Sequence, residues 1–247
     1  MGQVIETTHP QTTNSVGQQQ RTLSYATNSA GAITSTTVTD AAGNVRTMNF
    51  GVNLGVSDLT SETVQTASGV VKGTLTQTFD GNNNLVCQEN FAGQVTTYTY
   101  DATNQMVSKT SGQSGDCENY PADITSTSAT RTTTYTYLSP ELDVLTGIDR
   151  PSVDPGQTFS TTIAYGDSTH PLLPTSITQN GFTPSRTAVS REVQMSYTPY
   201  GQIATLTDPL GHVTTFTYND SSCTSGGACG ELASVTNAYS SQAGHPI

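Results

Sequence analysis

The chain has 247 residues, of which only 33% are hydrophobic and 11% charged, and its formal net charge is −11. So acidic a surface repels phosphate backbones and anionic lipid, which argues against nucleic-acid binding; no run approaches the ~20 apolar residues of a helical membrane span, which argues against membrane insertion. The 11 Tyr and 6 Phe stand at recurring positions beside β-branched residues, which argues against disorder.

Residues 1–20 are rich in Gln and Thr and lack the apolar core of a signal peptide. They read as a poorly structured or incomplete N-terminal segment. From residue 21 to 247 the sequence reads as a repeat array. Its first clear unit is Gly43-Asn44-Val45-Arg46-Thr47-Met48-Asn49-Phe50, preceded by the turn cluster Thr39-Asp40-Ala41-Ala42. A companion half-unit follows at Phe79-Asp80-Gly81-Asn82-Asn83-Asn84-Leu85. Then Gly93-Gln94-Val95-Thr96-Thr97-Tyr98-Thr99-Tyr100 repeats the first unit, and Tyr100-Asp101-Ala102-Thr103-Asn104-Gln105-Met106 repeats the companion. The turn residues Asn83, Gly93 and Asn104 fall every 10 or 11 residues, so one unit is two strands and two turns with a period of roughly 20.

Between about 120 and 195 the pattern is degenerate, with only Thr134-Tyr135-Thr136-Tyr137 and Ile163-Ala164-Tyr165-Gly166-Asp167 suggesting decayed copies. It returns at Tyr197-Thr198-Pro199-Tyr200-Gly201-Gln202-Ile203 and at Gly211-His212-Val213-Thr214-Thr215-Phe216-Thr217-Tyr218. The final Thr236-Asn237-Ala238-Tyr239 and Gly244-His245-Pro246-Ile247 look like the opening of a further unit, so the expectation is a piece of a longer protein.

The unit is hairpin grammar. Valine, threonine and aromatics alternate with the two-residue strand period and suit a half-buried pleated surface. Gly43, Gly93, Gly201 and Gly211 supply the positive φ of tight turns, and Asp101 and Asp208 can accept backbone hydrogen bonds two residues on. No stretch carries a capped 3.6-residue apolar period, so almost no helix is expected. The fold class is all-β, with antiparallel β-hairpin repeats forming an elongated curved sheet or β-spiral.

The string from Tyr197 to Tyr218 closely resembles the YD repeat of bacterial Rhs proteins, which runs Tyr-Asp-x-x-Gly-Arg-Leu, a spacer, Thr-Asp-Pro-x-Gly, then Thr-x-Tyr-x-Tyr. Residues 79–107 resemble it well and 39–50 fairly. The family's Arg is replaced by Gln202, Gln105 and Asn84, and Thr198 stands where its Asp would be. The resemblance, which extends to teneurin repeats, implies the wall of a β-shell that encloses a toxic effector, in a secreted or cell-surface bacterial polymorphic-toxin protein. It implies as partners neighbouring repeats of the same chain and an encapsulated C-terminal effector domain. The alternative it allows is an extracellular adhesion or carbohydrate-binding module, with glycans as partners.

Four cysteines permit three pairings. Cys223 and Cys229 bracket a Gly-rich insertion and suit a local disulfide, which would leave Cys87 for Cys117. If the cysteines form disulfides, the compartment is extracytoplasmic. Zinc needs closely set pairs or nearby His ligands, and His9, His170, His212 and His245 are scattered.

Asp80-Gly81-Asn82-Asn83-Asn84 starts like a calcium loop, but Leu85 and Phe91 stand where Gly and Glu are required. Glu141, Asp143, Asp149 and Asp154 lie in a Pro-rich stretch and read as loop acids. The ladder Tyr98, Tyr100, Phe216 and Tyr218 could stack on glycans, though cross-strand packing explains it. Asp208-Pro209-Leu210-Gly211 is superficially similar to the self-cleavage motif of some Rhs proteins, but an ordinary repeat strand follows it. No catalytic residue, metal ligand or cofactor site is assigned, and no enzymatic activity is expected.

Overall fold

In the computed structural model, residues 6–9, 19–154, 156–219 and 230–237 are described. The chain divides into two compact units, Met1–Thr132 and Thr133–Ile247. Both are all-β.

The first unit runs through β1 (Glu6–His9), β2 (Gln19–Thr27), β3 (Ile33–Thr39), β4 (Val45–Asn53), β5 (Val56–Gln65), β6 (Val71–Phe79), β7 (Leu85–Glu89), β8 (Val95–Tyr100) and β9 (Met106–Gln113). Each strand pairs antiparallel with the next. Strand pairing thus begins within residues 1–20, where the sequence shows no repeat. The second unit holds β10 (Arg131–Ser139), whose first two residues precede the boundary, β11 (Leu142–Pro151), β12 (Thr158–Ala164), β13 (Ser176–Phe182), β14 (Ala188–Tyr197), β15 (Ile203–Thr207), β16 (Val213–Tyr218) and β17 (Leu232–Thr236). These too pair antiparallel in sequence order. The stretch without a legible repeat, 120–195, is therefore built of regular hairpins as well.

Among the described residues the only helical segment is a 3-10 turn at Cys117–Asn119, capped by the Asp116 side chain, which accepts from the Glu118 amide. It belongs to an insertion after β9 that folds back on the sheet. Ser114 and Thr125 exchange backbone hydrogen bonds at 3.1 and 2.9 Å, and Thr78 Oγ1 donates to the Cys117 carbonyl. A Cβ on Gly112 would lie 2.3 Å from the Ala129 carbonyl oxygen, and one on Gly115 would lie 2.1 Å from that of Asp123. Only glycine lets the insertion return so closely on itself.

Cys87, Val95 and Cys117 have no exposed surface. Tyr120 and Ile124 of the insertion pack against them. Among the other described residues only Thr76, Thr97, Gln105 and Gly181 are buried, and the rest of the strand positions are half-buried or exposed.

Candidate functional site

One turn recurs throughout the described residues. It spans five positions and starts at Asn28, Asp40, Thr66, Asp80, Asn90, Asp101, Thr183, Thr198 and Asp208. In each, the first amide donates to the fifth carbonyl and the fourth amide donates to the first carbonyl. The fourth residue has positive φ: 81° at Gly43, 75° at Gly93, 79° at Gly201 and 85° at Gly211, with Asn83 and Asn104 both at 67°.

The first side chain closes the loop from inside. Asp101 Oδ1 accepts from the amides of Thr103 and Gln105 at 2.8 and 2.9 Å, and Asp208 Oδ1 accepts from those of Leu210 and His212 at 2.8 and 2.9 Å. Where the fifth residue has a polar side chain it often bonds back: Asn44 to Asp40, Asn84 to Asp80, and His212 Nδ1 to Asp208 Oδ2. A carboxylate only accepts, so His212 Nδ1 carries the proton. These bonds favour the charged form. The Asp208 carboxyl is held below its usual range, first by His212, and that of Asp101 likewise, first by the Thr103 hydroxyl.

The calcium-like string Asp80–Asn84 folds as one of these turns. Asp80 Oδ1 accepts from the amides of Asn82 and Asn84, and Oδ2 from Asn84 Nδ2. All three bonds close its own turn. Among the described residues no three His, Cys, Asp or Glu side chains gather as a metal site.

The tyrosines carry a second recurring contact, which the sequence does not announce. Tyr100, the last residue of β8, donates its hydroxyl to the carbonyl of Leu85, the first residue of β7, at 2.9 Å. Tyr218, the last residue of β16, does the same to Ile203 at the start of β15, at 2.8 Å. Tyr165 and Tyr197 donate to Leu145 and Pro174 at 2.9 and 2.6 Å. Burial raises the phenol of Tyr100 above its ordinary value, with Tyr98 and Asp80 adding to it. These hydroxyls pin the sheet together.

Cys87 and Cys117 form a disulfide with a Cα–Cα distance of 5.6 Å. Cys223 and Cys229 lie outside the described residues. The acids expected in a loop stand in part on a strand: Asp143 and Asp149 belong to β11, where both are exposed, as is Glu141 in the turn before it, and Asp154 faces Arg186 Nε at 3.6 Å.

Concavities among the described residues include three of some size. In the second unit, a cavity of about 380 Å³ is lined by Gly166, Asp167, Thr175, Met195, Ser196 and Tyr197. Beside it His170 Nδ1 meets Asp167 Oδ2 at 2.9 Å, and its Nε2 faces the Pro199 carbonyl at 3.3 Å. Ser196 Oγ is bonded instead to Thr205 Oγ1 at 2.5 Å. With the histidine's second nitrogen turned to a carbonyl, serine, histidine and aspartate make no nucleophilic relay. In the first unit, a cavity of about 310 Å³ lies between the β4–β5 hairpin and the turn after β6, with Val52, Asp58, Phe79 and Asn83 in its walls. Asp58 Oδ2 and Asn83 Oδ1 are shielded from solvent and lack hydrogen-bond partners. The largest, about 690 Å³, is an open trough across β2 to β6 whose lining includes Arg21, Arg46 and Lys72.

No family model matches the chain, and no curated protein matches it. Among solved structures, the chain is similar over 90% of its length to a chain of a TcdB2-TccC3-Cdc42 complex, at 14% identity and a TM-score of 0.36, and it spans 14% of that chain's length. For a TcdB2-TccC3 structure the figures are 83% of this chain, 15% of that one, 14% identity and a TM-score of 0.35. A porin-like protein from Bacteroides uniformis is similar over 84% of this chain and 81% of its own, at 17% identity and a TM-score of 0.33. Likeness at this level bears on no functional assignment.

Proposed function

We propose that this chain is non-catalytic wall material: a hairpin-array segment of the Rhs/YD-repeat kind, in a secreted or surface-exposed protein, enclosing an effector that the same polypeptide carries. The observation that supports this most is the inward use of polar groups. Turn aspartates bind their own backbone, and strand-end tyrosines bind carbonyls of the preceding strand. The carboxylates thus close their own hairpins, and the phenol hydroxyls tie each strand to the one before it. The Cys87–Cys117 disulfide suits an oxidising, extracytoplasmic compartment.

The reading is tested on the full-length product of the gene by electron microscopy. The expected result is an enclosed volume walled by these strands, with density for a cargo inside. A filled sandwich or a flat array without a lumen would overturn it. So would hydrolysis of a glycan or peptide substrate that a single acid-to-amide substitution in this chain abolishes.

A further inference from the structure

The cavity between the β4–β5 hairpin and the turn after β6, about 310 Å³ in volume, is lined by Asp58 and Asn83. Asp58 Oδ2 and Asn83 Oδ1 are both shielded from solvent, and neither accepts a hydrogen bond. Leaving an acceptor in that state costs free energy, and more for a carboxylate than for an amide. Glu62 Oε1 is shielded too, but Arg46 Nε lies 3.0 Å from it. Among the described residues Asp58 has no such cation within ion-pair distance.

The hollow beside Asp58 is made by the residue across from it. Gly51 stands directly opposite Asp58 in the β4–β5 ladder, and cross-strand partners share a face. The position that would carry a covering side chain therefore carries none. A Cβ on Gly51 would lie 3.0 Å from Thr60 Cγ2, so even one methyl would narrow the floor. Three donors of the lining are committed elsewhere. Thr60 Oγ1 donates to the Asn49 carbonyl at 3.2 Å, Asn53 Nδ2 to that of Asp80 at 3.0 Å, and Thr78 Oγ1 to that of Cys117. Gln77, also in the lining, adds a carboxamide whose oxygen is a further acceptor.

We propose that this cavity binds a primary ammonium group carried on a short apolar stem. The carboxylate selects a cation, and the orphaned acceptors select one that brings hydrogen-bond donors. An ammonium carries three donors and no acceptor, whereas a guanidinium brings five to the same few oxygens and would leave more of them unmet. A calcium ion wants about six or more oxygen ligands, and no three His, Cys, Asp or Glu side chains gather among the described residues. Val52 and Phe79 in the walls give the stem hydrocarbon to lie against. The net charge of −11 favours the approach of any cation.

The test titrates the intact, nitrogen-15-labelled chain with benzylammonium and, separately, with Nα-acetyl-lysine methylamide, following backbone amide shifts. Saturable shifts are expected within residues 51–60 and 77–83. Tighter binding of the lysine amide would assign the ammonium to a protein side chain, and tighter binding of benzylammonium to a free amine. Asp58→Asn should weaken either ligand at least about tenfold, because a charge-assisted bond is lost. Asp58 has no protein partner to lose, so circular dichroism of that variant should match the parent. Asn83→Gly keeps a residue that accepts the φ of 67° while removing the carboxamide, and it should weaken binding several-fold. Asp143→Asn, in the second unit, should change nothing. Benzyl alcohol, of the same shape but uncharged, should bind at least about tenfold more weakly than benzylammonium. The proposal is overturned if neither ammonium saturates, if either cavity variant binds as tightly as the parent, if benzyl alcohol binds as well as the amine, or if calcium chloride displaces the amine from these residues.

Discussion

Val95 and Val213 hold the same place in the repeat, two residues after the turn glycines Gly93 and Gly211, yet Val95 has no exposed surface and Val213 is 43% exposed. The difference comes from what lies on top of them. In the first unit an insertion carrying Cys117 is tied back to Cys87 and covers the sheet face. In the second, among the described residues, only the glycine Gly181 is buried. One turn and one strand pattern thus support two kinds of stability: a small capped core, and a bare lattice of hydrogen bonds.

The contrast should break most sharply at the disulfide. Replacing both Cys87 and Cys117 with serine removes a cross-link across 30 residues and should cost the first unit about 3–4 kcal/mol. Denaturant unfolding followed by hydrogen exchange should show the loss confined to residues before Thr133. An equal loss in both units would mean that they unfold as one. Next in size, Val95→Ala should cost about 2 kcal/mol, whereas Val213→Ala should cost under about 0.5 kcal/mol. Equal costs would remove the distinction between capped and bare faces.

The turns should erase the contrast. A Cβ on Gly211 would meet nothing within 4 Å, and one on Gly93 only Glu89 Oε1 at 3.8 Å. What substitution costs is backbone conformation alone, so Gly93→Ala and Gly211→Ala should each lose about 1–2 kcal/mol. Melting temperatures of the two variants test this, and a neutral result in either would refute the turn assignment there. Removing a phenol hydroxyl should restore a small difference. Tyr100→Phe should lose about 1 kcal/mol, and Tyr218→Phe less, because its bond is exposed to water.

The smallest effect is read from pH. Burial, then the charges of Asp116 and Glu118, raises the Glu89 carboxyl above its ordinary value. Its charge therefore opposes folding above the folded-state value, and that opposition is relieved as the pH falls through it. Glu89→Gln should raise the melting temperature at pH 7 and lose the advantage towards pH 4. The turn carboxyls of Asp101 and Asp208 are lowered, so their contribution is present above the ordinary carboxylate value and fades as the pH falls through the lowered one. Acid should first spare the capped face and then loosen turns in both units.

The hairpins were legible wherever glycine or asparagine marked the fourth turn position, since only a few residue types accept positive φ. Between 120 and 195 the same turn starts at Thr183 and places Arg186 at φ 61°, a residue with no turn signature. The chain also spends Asp167 through Thr175 on a longer excursion around His170. Strand pairing continued while its markers vanished. The tyrosine pins could not be read, because each partner is a carbonyl 15 to 23 residues upstream. The trough was equally hidden, since its three cations come from strands that are not neighbours in sequence.

One property of the turn reaches beyond this chain. Its hydrogen bonds use the first side chain, the amides of positions one, three, four and five, and the carbonyls of positions one and five. The second residue donates nothing, which is why proline sits there at Pro199 and Pro209. The third points outward, as Tyr200 and Leu210 do at 75% and 81% exposure. Each turn is therefore a rigid frame around two interchangeable letters. An epitope or affinity tag grafted at 209–210 would be displayed on a fixed backbone, and a library varied at these pairs would diversify the surface while leaving the sheet's register untouched.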